Sequence, residues 1–196
     1  MRVIAGRLRR RPLAAPAGLR LRPTSDALRE TLFNILGPEV AGSVFVDAYA
    51  GTGAVGIEAL SRGASRVVFM ERDPVALHAL RSNLRDLALL QDPAVQVLAL
   101  EVARGLLKLN SHPALQAGAG FIFLDPPYAA ATEYARTLDA LGRNPTLIGA
   151  HTRVIVEHAA RAPLASAFGE LVLTRTVEQG DSCLSFFARR GAGAVL

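Results

Sequence analysis

Two periods of apolar residues alternate along the chain. "SVFVDAYA" (43–50), "RVVFMER" (66–72), "AVQVLAL" (94–100), "FIFLD" (121–125) and "TRVIVEH" (152–158) are short, nearly unbroken apolar runs rich in Val, Ile and Phe, a pattern that predicts buried strands. Between them stand segments with apolar residues three and four apart: "AVGIEALSRG" closed by Gly63, "PVALHALRSNLRDLAL" with Pro74 at its first position, a short stretch from about Val102 to Leu109, and "ATEYARTLDALG". These predict helices. Ahead of them "RPTSDALRETLFNIL" reads as a helix that Ser25 or Thr24 can cap. Leu28, Leu32, Ile35 and Leu36 form its stripe, and Gly37 and Pro38 end it. The last two runs, "ELVLTRTVEQG" and "SCLSFFARR", meet at a Gly-Asp turn and predict an antiparallel hairpin.

Repeated strand–helix units predict an α/β fold: a doubly wound, mostly parallel sheet with helices on both faces and an antiparallel C-terminal strand. Ligands of such sheets bind beyond the carboxyl ends of the strands. The chain has no internal repeat and no low-complexity linker. Its organisation reads as a basic N-terminal arm over 1–22 and a single domain over 23–196. "RVIAG" looks like a strand, so the arm is expected as a short β-hairpin.

Of the 196 residues, 51% are hydrophobic and 20% charged, the balance of a soluble globular protein. No apolar run approaches the roughly 18–20 residues that span a bilayer, which predicts no membrane association and a cytoplasmic location. Cys183 stands alone and excludes an internal disulfide; the four histidines show no metal spacing, so no metal is expected. Charge is what separates the arm from the rest. Arg2, Arg7, Arg9, Arg10, Arg11, Arg20 and Arg22 face no acid within residues 1–22, so with a total of +5 the remainder is net −2. Such a cluster is the footprint of a polyanion, most simply nucleic acid, or else a solvated tail.

Candidate chemistry sits just after strands. In "DAYAGTGAVG", Gly51, Gly53 and Gly56 match G-x-G-x-x-G, with Thr52 between the first two. Glycines there let a ligand approach a helix N-terminus. The next strand ends at Glu71, followed by Arg72, where dinucleotide folds carry the acid that takes ribose hydroxyls. A nicotinamide or flavin dinucleotide is therefore one reading. Asp47 opposes it, because its carboxylate would repel a pyrophosphate by about 4 kcal/mol at 4 Å near a surface. A ligand bearing an ammonium group, a carboxylate and a ribose suits all three features, and S-adenosylmethionine is one.

"LDPPY" ends a later strand. Two prolines fix the backbone and free a carbonyl, so Asp125 and the Pro126 carbonyl can accept both hydrogens of a planar NH₂ group. With Pro127 holding the turn, Tyr128 offers a ring on which a base can stack. The constellation suits methylation of an exocyclic amine on a nucleobase, a poor nucleophile that gains from alignment and polarisation.

"DAYAGTGAVGIEALSRGA" followed by "LDPPY" resembles class I methyltransferases that modify exocyclic amines, with their Rossmann-like fold. "RVIAGRLRRRPLAAP" with "LRPTSDALRETLFNIL" resembles the RsmD family, bacterial enzymes that methylate the N2 of a guanine in 16S ribosomal RNA. The resemblance runs from Arg2 to about Arg189. It implies that Asp47, Gly51, Thr52 and Gly53 line the methionine end of S-adenosylmethionine, that Glu71 and Arg72 lie at its ribose, and that Glu101 lies near its adenine. Thr24 closes one side of the cleft, and Asp125, Pro126, Pro127 and Tyr128 form the amine site. Arg7, Arg9, Arg10, Arg11 and Arg22 lie on the RNA. A monomer acting on small-subunit RNA, free or within an assembly particle, is implied too. Arg10 departs from the family's arm, which carries glycine there, so the turn at Arg10 is the geometry to check. Two other readings stay open: a DNA adenine-N6 methyltransferase, since "DPPY" marks those as well, and a catalytically silent RNA-binding or ribosome assembly factor. The first generally has an extra target-reading domain, for which this chain has no spare segment.

Overall fold

Ser25 realises the capping signal: its Oγ accepts the Leu28 N–H at 3.1 Å and starts helix α1 (Asp26–Leu36). A 3-10 turn at Gly37–Val40 ends that helix. The computed structural model describes residues 1–15, 25–110, 115, 119–126 and 131–192, so Thr24, Arg22, Pro127 and Tyr128 lie outside the described residues. The chain forms two compact units, Met1–Val102 and Ala103–Leu196.

In the first unit, β1 (Val44–Ala48), β2 (Arg66–Met70) and β3 (Val95–Leu98) make a parallel sheet in the order β3-β2-β1. The interiors of β1 and β2 are buried on both faces, which is why they read as continuous apolar runs. Helices α2 (Ala54–Ser61) and α3 (Pro74–Asp86) are the crossovers. Asp73 caps α3 by accepting the Val75 and Ala76 N–H groups, and Pro74 sits at its first turn.

Every residue of α2 is buried, an unusual state for an eight-residue helix that carries Glu58 and Ser61. The N-terminal arm accounts for part of it. Val3 and Leu13 are in the core. Glu58 accepts the backbone N–H groups of Ile4 (2.8 Å) and Ala5 (3.0 Å) as well as Arg62 Nε (2.8 Å). Ser61 accepts the Leu8 N–H through its Oγ and the Arg7 N–H through its carbonyl. Asn83 of α3 holds Ala14 from both sides, accepting its N–H at 2.8 Å and donating to its carbonyl at 3.1 Å. The buried Arg29 guanidinium donates to the Arg2 carbonyl (2.8 Å) and to Asp26 (2.7 Å). The strand expected at "RVIAG" shrinks to one antiparallel bridge, Arg2 with Pro12, because the Ile4 and Ala5 N–H groups go to Glu58 instead of a ladder.

The second unit continues from α4 (Val102–Leu109), which begins at the last residue of the first. It carries β4 (Phe121–Leu124), α5 (Ala131–Gly142), β5 (Arg153–Ala159), β6 (Ala167–Phe168), β7 (Leu171–Gln179) and β8 (Ser182–Arg189). Their order is β4-β5-β8-β7-β6; β4 and β5 run parallel and the other pairs antiparallel. The hairpin turn is Gly180-Asp181, with Gly180 at φ 60°, a left-handed conformation suited to the first central residue of a two-residue loop. The antiparallel edge gains one element that periodicity missed, since β6 has only two residues and too short a run to register.

Candidate active site

β1 delivers Asp47 to the base of the glycine turn. The carboxyl is buried, and its Oδ2 accepts the Gly56 N–H at 2.8 Å. The first N–H groups of a helix lack partners inside it, and Gly53 at the cap position has no side chain to supply one, so Asp47 takes that role from the neighbouring strand. Burial, chiefly, pushes the Asp47 carboxyl from its ordinary value near 3.8 up to about 7; the Gly56 N–H opposes the rise and the charge on Glu71 adds to it. The charge on Glu71, acting on the buried Asp47 carboxyl, gives the glycine turn a negative floor. Such a floor disfavours a pyrophosphate and suits a ligand with an ammonium or other cationic group.

Glu71 directly follows β2 and holds the turn from the other side. Its Oε2 accepts the Gly51 N–H at 2.8 Å, and its Oε1 accepts the Arg72 and Asp73 N–H groups, each at 2.7 Å. A carboxylate offers about four lone-pair sites, so one remains for a ligand hydroxyl. Gly53 donates its N–H to the Ala50 carbonyl at 2.7 Å and adopts φ 81°, a conformation that glycine alone takes without cost. Gly56 packs against the Phe69 ring with no room for a Cβ. The structure thus brings Asp47, Gly51, Gly53, Gly56 and Glu71 together. The amides of Gly51 and Gly53, residues expected to line the methionine end of the ligand, are already engaged within the turn.

Thr52 contributes its carbonyl to Asn83 Nδ2 at 2.9 Å, which links the glycine turn to the arm through one buried amide. Arg72 is exposed and lies 3.9 Å from Glu101, which follows β3 and immediately precedes α4. Sequence reasoning missed Asn83, Glu58 and Arg29. Each is a polar residue set on the apolar stripe of its helix, and that mismatch is the signal that could have found them. It also missed Tyr49, which holds φ 67° between Asp47 and the glycines; a bulky residue in the left-handed region has no sequence signature.

In the second unit the fully buried β4 ends at Leu124, so Asp125 and Pro126 follow directly on a rigid strand. Asp125 is half-buried and Pro126 buried. The Pro126 carbonyl accepts the hydroxyl of Tyr134, a buried residue of α5, at 3.2 Å. The carbonyl expected to be free for a substrate therefore has one lone pair anchored and one left.

Of the expected RNA contacts, Arg7 is half-exposed and 3.9 Å from Asp92, while Arg11 donates to the Asp86 carbonyl at 2.8 Å. Arg9 and Arg10 are exposed, and Arg10 has φ 69°. The turn expected to need glycine is thus kept, with arginine in glycine's conformation. Among the described residues no group of three His, Cys, Asp or Glu is arranged to hold a metal ion, and no helix is long and apolar enough to cross a membrane.

Residues 1–188 match the model of the family described as "Conserved hypothetical protein 95". A Bacillus subtilis protein named "Putative rRNA methyltransferase YlbH" is 36% identical over 193 residues, 97% of this chain and 100% of the relative. "Ribosomal RNA small subunit methyltransferase D" of Haemophilus influenzae is 38% identical over 128 residues, 65% of this chain and 64% of its own length. Among solved structures, "Putative methyltransferase yhhF" from Escherichia coli superposes with a TM-score of 0.78 at 30% identity, covering 97% of this chain and 98% of that one. With its parallel strands, antiparallel edge and near-complete match, the chain belongs to the RsmD family of ribosomal RNA methyltransferases and has their α/β, Rossmann-like class I fold.

Proposed function

We propose that the protein transfers a methyl group from S-adenosylmethionine to the exocyclic N2 amine of a guanine in 16S ribosomal RNA. It acts in the cytoplasm as a monomer, on free small-subunit RNA or on an assembly particle. The observation that carries the reading is the end of β4, where a buried strand stops at an acid and a proline carbonyl, two acceptors for the two hydrogens of one NH₂ group. It is joined by the negative floor that Asp47 and Glu71 give the glycine turn, which suits a ligand carrying an ammonium, a sulfonium and a ribose.

The cofactor supplies, when bound, a methyl group on a positively charged sulfur. The chain's own residues do the rest. Asp47 and the turn it anchors receive the methionine end, and Glu71 keeps one lone pair for the ribose diol. Asp125 and the Pro126 carbonyl hold the amine hydrogens, which fixes the direction of the nitrogen lone pair and raises its electron density. Tyr128 stacks on the base once it has left its own stack. With the methyl donor bound, Asp125 and the Pro126 carbonyl would keep the amine nitrogen turned towards the methyl group the cofactor would supply, and the proton lost by the methylated nitrogen would pass to water. No covalent bond to the enzyme and no metal is required. The arm arginines Arg7, Arg9, Arg10, Arg11 and Arg22 hold phosphates.

Mass spectrometry of nucleosides from small-subunit RNA after incubation with enzyme and S-adenosylmethionine tests the reading. N2-methylguanosine is expected. N6-methyladenine, formed on RNA or DNA, or the absence of any methylated nucleoside, overturns it.

A further inference from the structure

Where the turn of the arm meets the first turn of α1 there is a cavity of about 390 Å³, lined among others by Arg2, Ile4, Arg9, Arg10, Asp26 and Glu30. That volume is within the range of small-ligand sites. Its charges are uneven. Asp26 is committed to the buried Arg29 at 2.7 Å. Among the described residues no ion pair involves Arg2, Arg9, Arg10 or Glu30, so three guanidinium groups and one carboxylate stand uncompensated around one concavity.

Arg10 sharpens this. Its backbone holds φ 69°, where glycine would sit without strain. A strained non-glycine residue points to a use for its side chain. The Arg10 side chain adds one thing glycine lacks there, a third cation at the cavity.

A purely electrostatic tether needs neither a cavity nor an acid. A ligand for this cavity must carry an anion for the arginines and adjacent donors for Glu30. A guanine nucleotide does both: its phosphate suits guanidinium forks, and its N1–H and N2–H form a paired donor edge for one carboxylate. We propose that the cavity is a subsite for one guanine nucleotide of the RNA, separate from the methylated one, with its phosphate on Arg9 and Arg10 and its base edge on Glu30. The proposal rests on the reading of RNA as substrate.

The test is a titration of isotope-labelled protein with guanosine 5′-monophosphate, adenosine 5′-monophosphate and inorganic phosphate at low salt, followed by the amide resonances of Ile4, Ala27 and Glu30. Saturable shifts are expected with the guanine nucleotide at concentrations at least tenfold below those needed for the adenine nucleotide or phosphate. Glu30→Ala should abolish that preference and leave phosphate binding in place. Arg10→Gly, which relaxes the backbone and so keeps the fold, should weaken all three about tenfold. Equal shifts with phosphate and nucleotide, no shift at these amides, or an unchanged preference in Glu30→Ala overturns the subsite. No methyl transfer takes part in the titration. Methylated RNA without these shifts would sink the subsite alone, and shifts without N2-methylguanosine would sink the functional reading alone.

Discussion

Asp47 accepts the Gly56 N–H at 2.8 Å across the start of α2, so one buried carboxyl near the end of β1 secures the glycine turn. Its proton affinity then becomes a handle on the site. The folded value, about 7, lies above the unfolded value near 3.8, so between these the folded state binds more protons than the unfolded. Asp47 therefore contributes stability that is complete below about pH 4 and is lost as pH rises to about 7. Asp47→Asn keeps an acceptor oxygen and removes the titration. Thermal unfolding from pH 4 to 8 should show the difference, variant minus wild type, growing to about pH 7 and then levelling, with a total of about 1–4 kcal/mol. A constant difference would mean that Asp47 does not titrate there. Because a cationic ligand favours the ionised carboxylate, S-adenosylmethionine should also bind more tightly as pH rises from 5 to 7.

Glu71 is a scaffold as well as a candidate ligand group, since three backbone N–H groups depend on it. Glu71→Ala should lower stability by about 1–3 kcal/mol, the cost of orphaned donors, in addition to weakening cofactor binding. Glu71→Gln keeps one acceptor oxygen and separates the two effects. Calorimetry should give a loss of about 1.5–3 kcal/mol in S-adenosylmethionine affinity for Gln, with an unfolding midpoint closer to wild type than that of Ala. Unchanged affinity in Gln would remove Glu71 from the ribose site.

Arg10 sets backbone strain against charge. Arg10→Gly should stabilise the protein by up to about 1 kcal/mol, the relief of a left-handed non-glycine residue less the extra freedom of glycine when unfolded. It should also reduce the salt dependence of RNA binding, lowering the log–log slope by about 0.7–0.9 if one phosphate contact is lost. Deleting the whole arm is the poorer experiment. Removal of residues 1–11 strips Glu58 of two donors and exposes the face that Val3 covers, so binding and folding would fall together. A stability loss in Arg10→Gly would show that its side chain packs rather than strains.

The strands and helices were legible because both periods are strong where burial is two-sided, as in "FVD" and "VVFM", or one-sided, as in α1. Asp47, Glu71 and Asp125 were legible for a topological reason: each stands at or just after the carboxyl end of a parallel strand, the end at which such sheets bind ligands. What could not be read was which acceptors would already be engaged. Whether Gly51 donates to a ligand or to Glu71 depends on a distance across two strands, and no local pattern carries it. What anchors the arm was hidden for a similar reason. Its arginines point to a polyanion or a solvated tail, while the residues that fix it, Glu58, Ser61 and Asn83, lie more than 50 positions away.

Asp125 is where the chemistry is most exposed to test. Under the proposed mechanism it aligns an amine whose lone pair is otherwise delocalised into the ring, and that alignment matters most at the transition state. Asp125→Ala should cut the single-turnover methylation rate by about 10²–10³, with RNA and S-adenosylmethionine affinities within a few-fold of wild type. Asp125→Asn keeps one acceptor oxygen without the charge and should retain part of the rate. The Pro126 carbonyl offers a second, independent perturbation. Tyr134→Phe removes the hydroxyl that anchors it at 3.2 Å but keeps the buried ring, so the fold should survive. The freed carbonyl loses its fixed direction, and the rate should fall by about tenfold or less with substrate affinities unmoved, the signature of lost alignment rather than lost binding. Asp125→Ala and Tyr134→Phe act on the same amine, so together they should cost less than the product of their separate effects. A near-normal rate in Asp125→Ala, or strict additivity of the pair, would show that these two acceptors do not hold one NH₂ group.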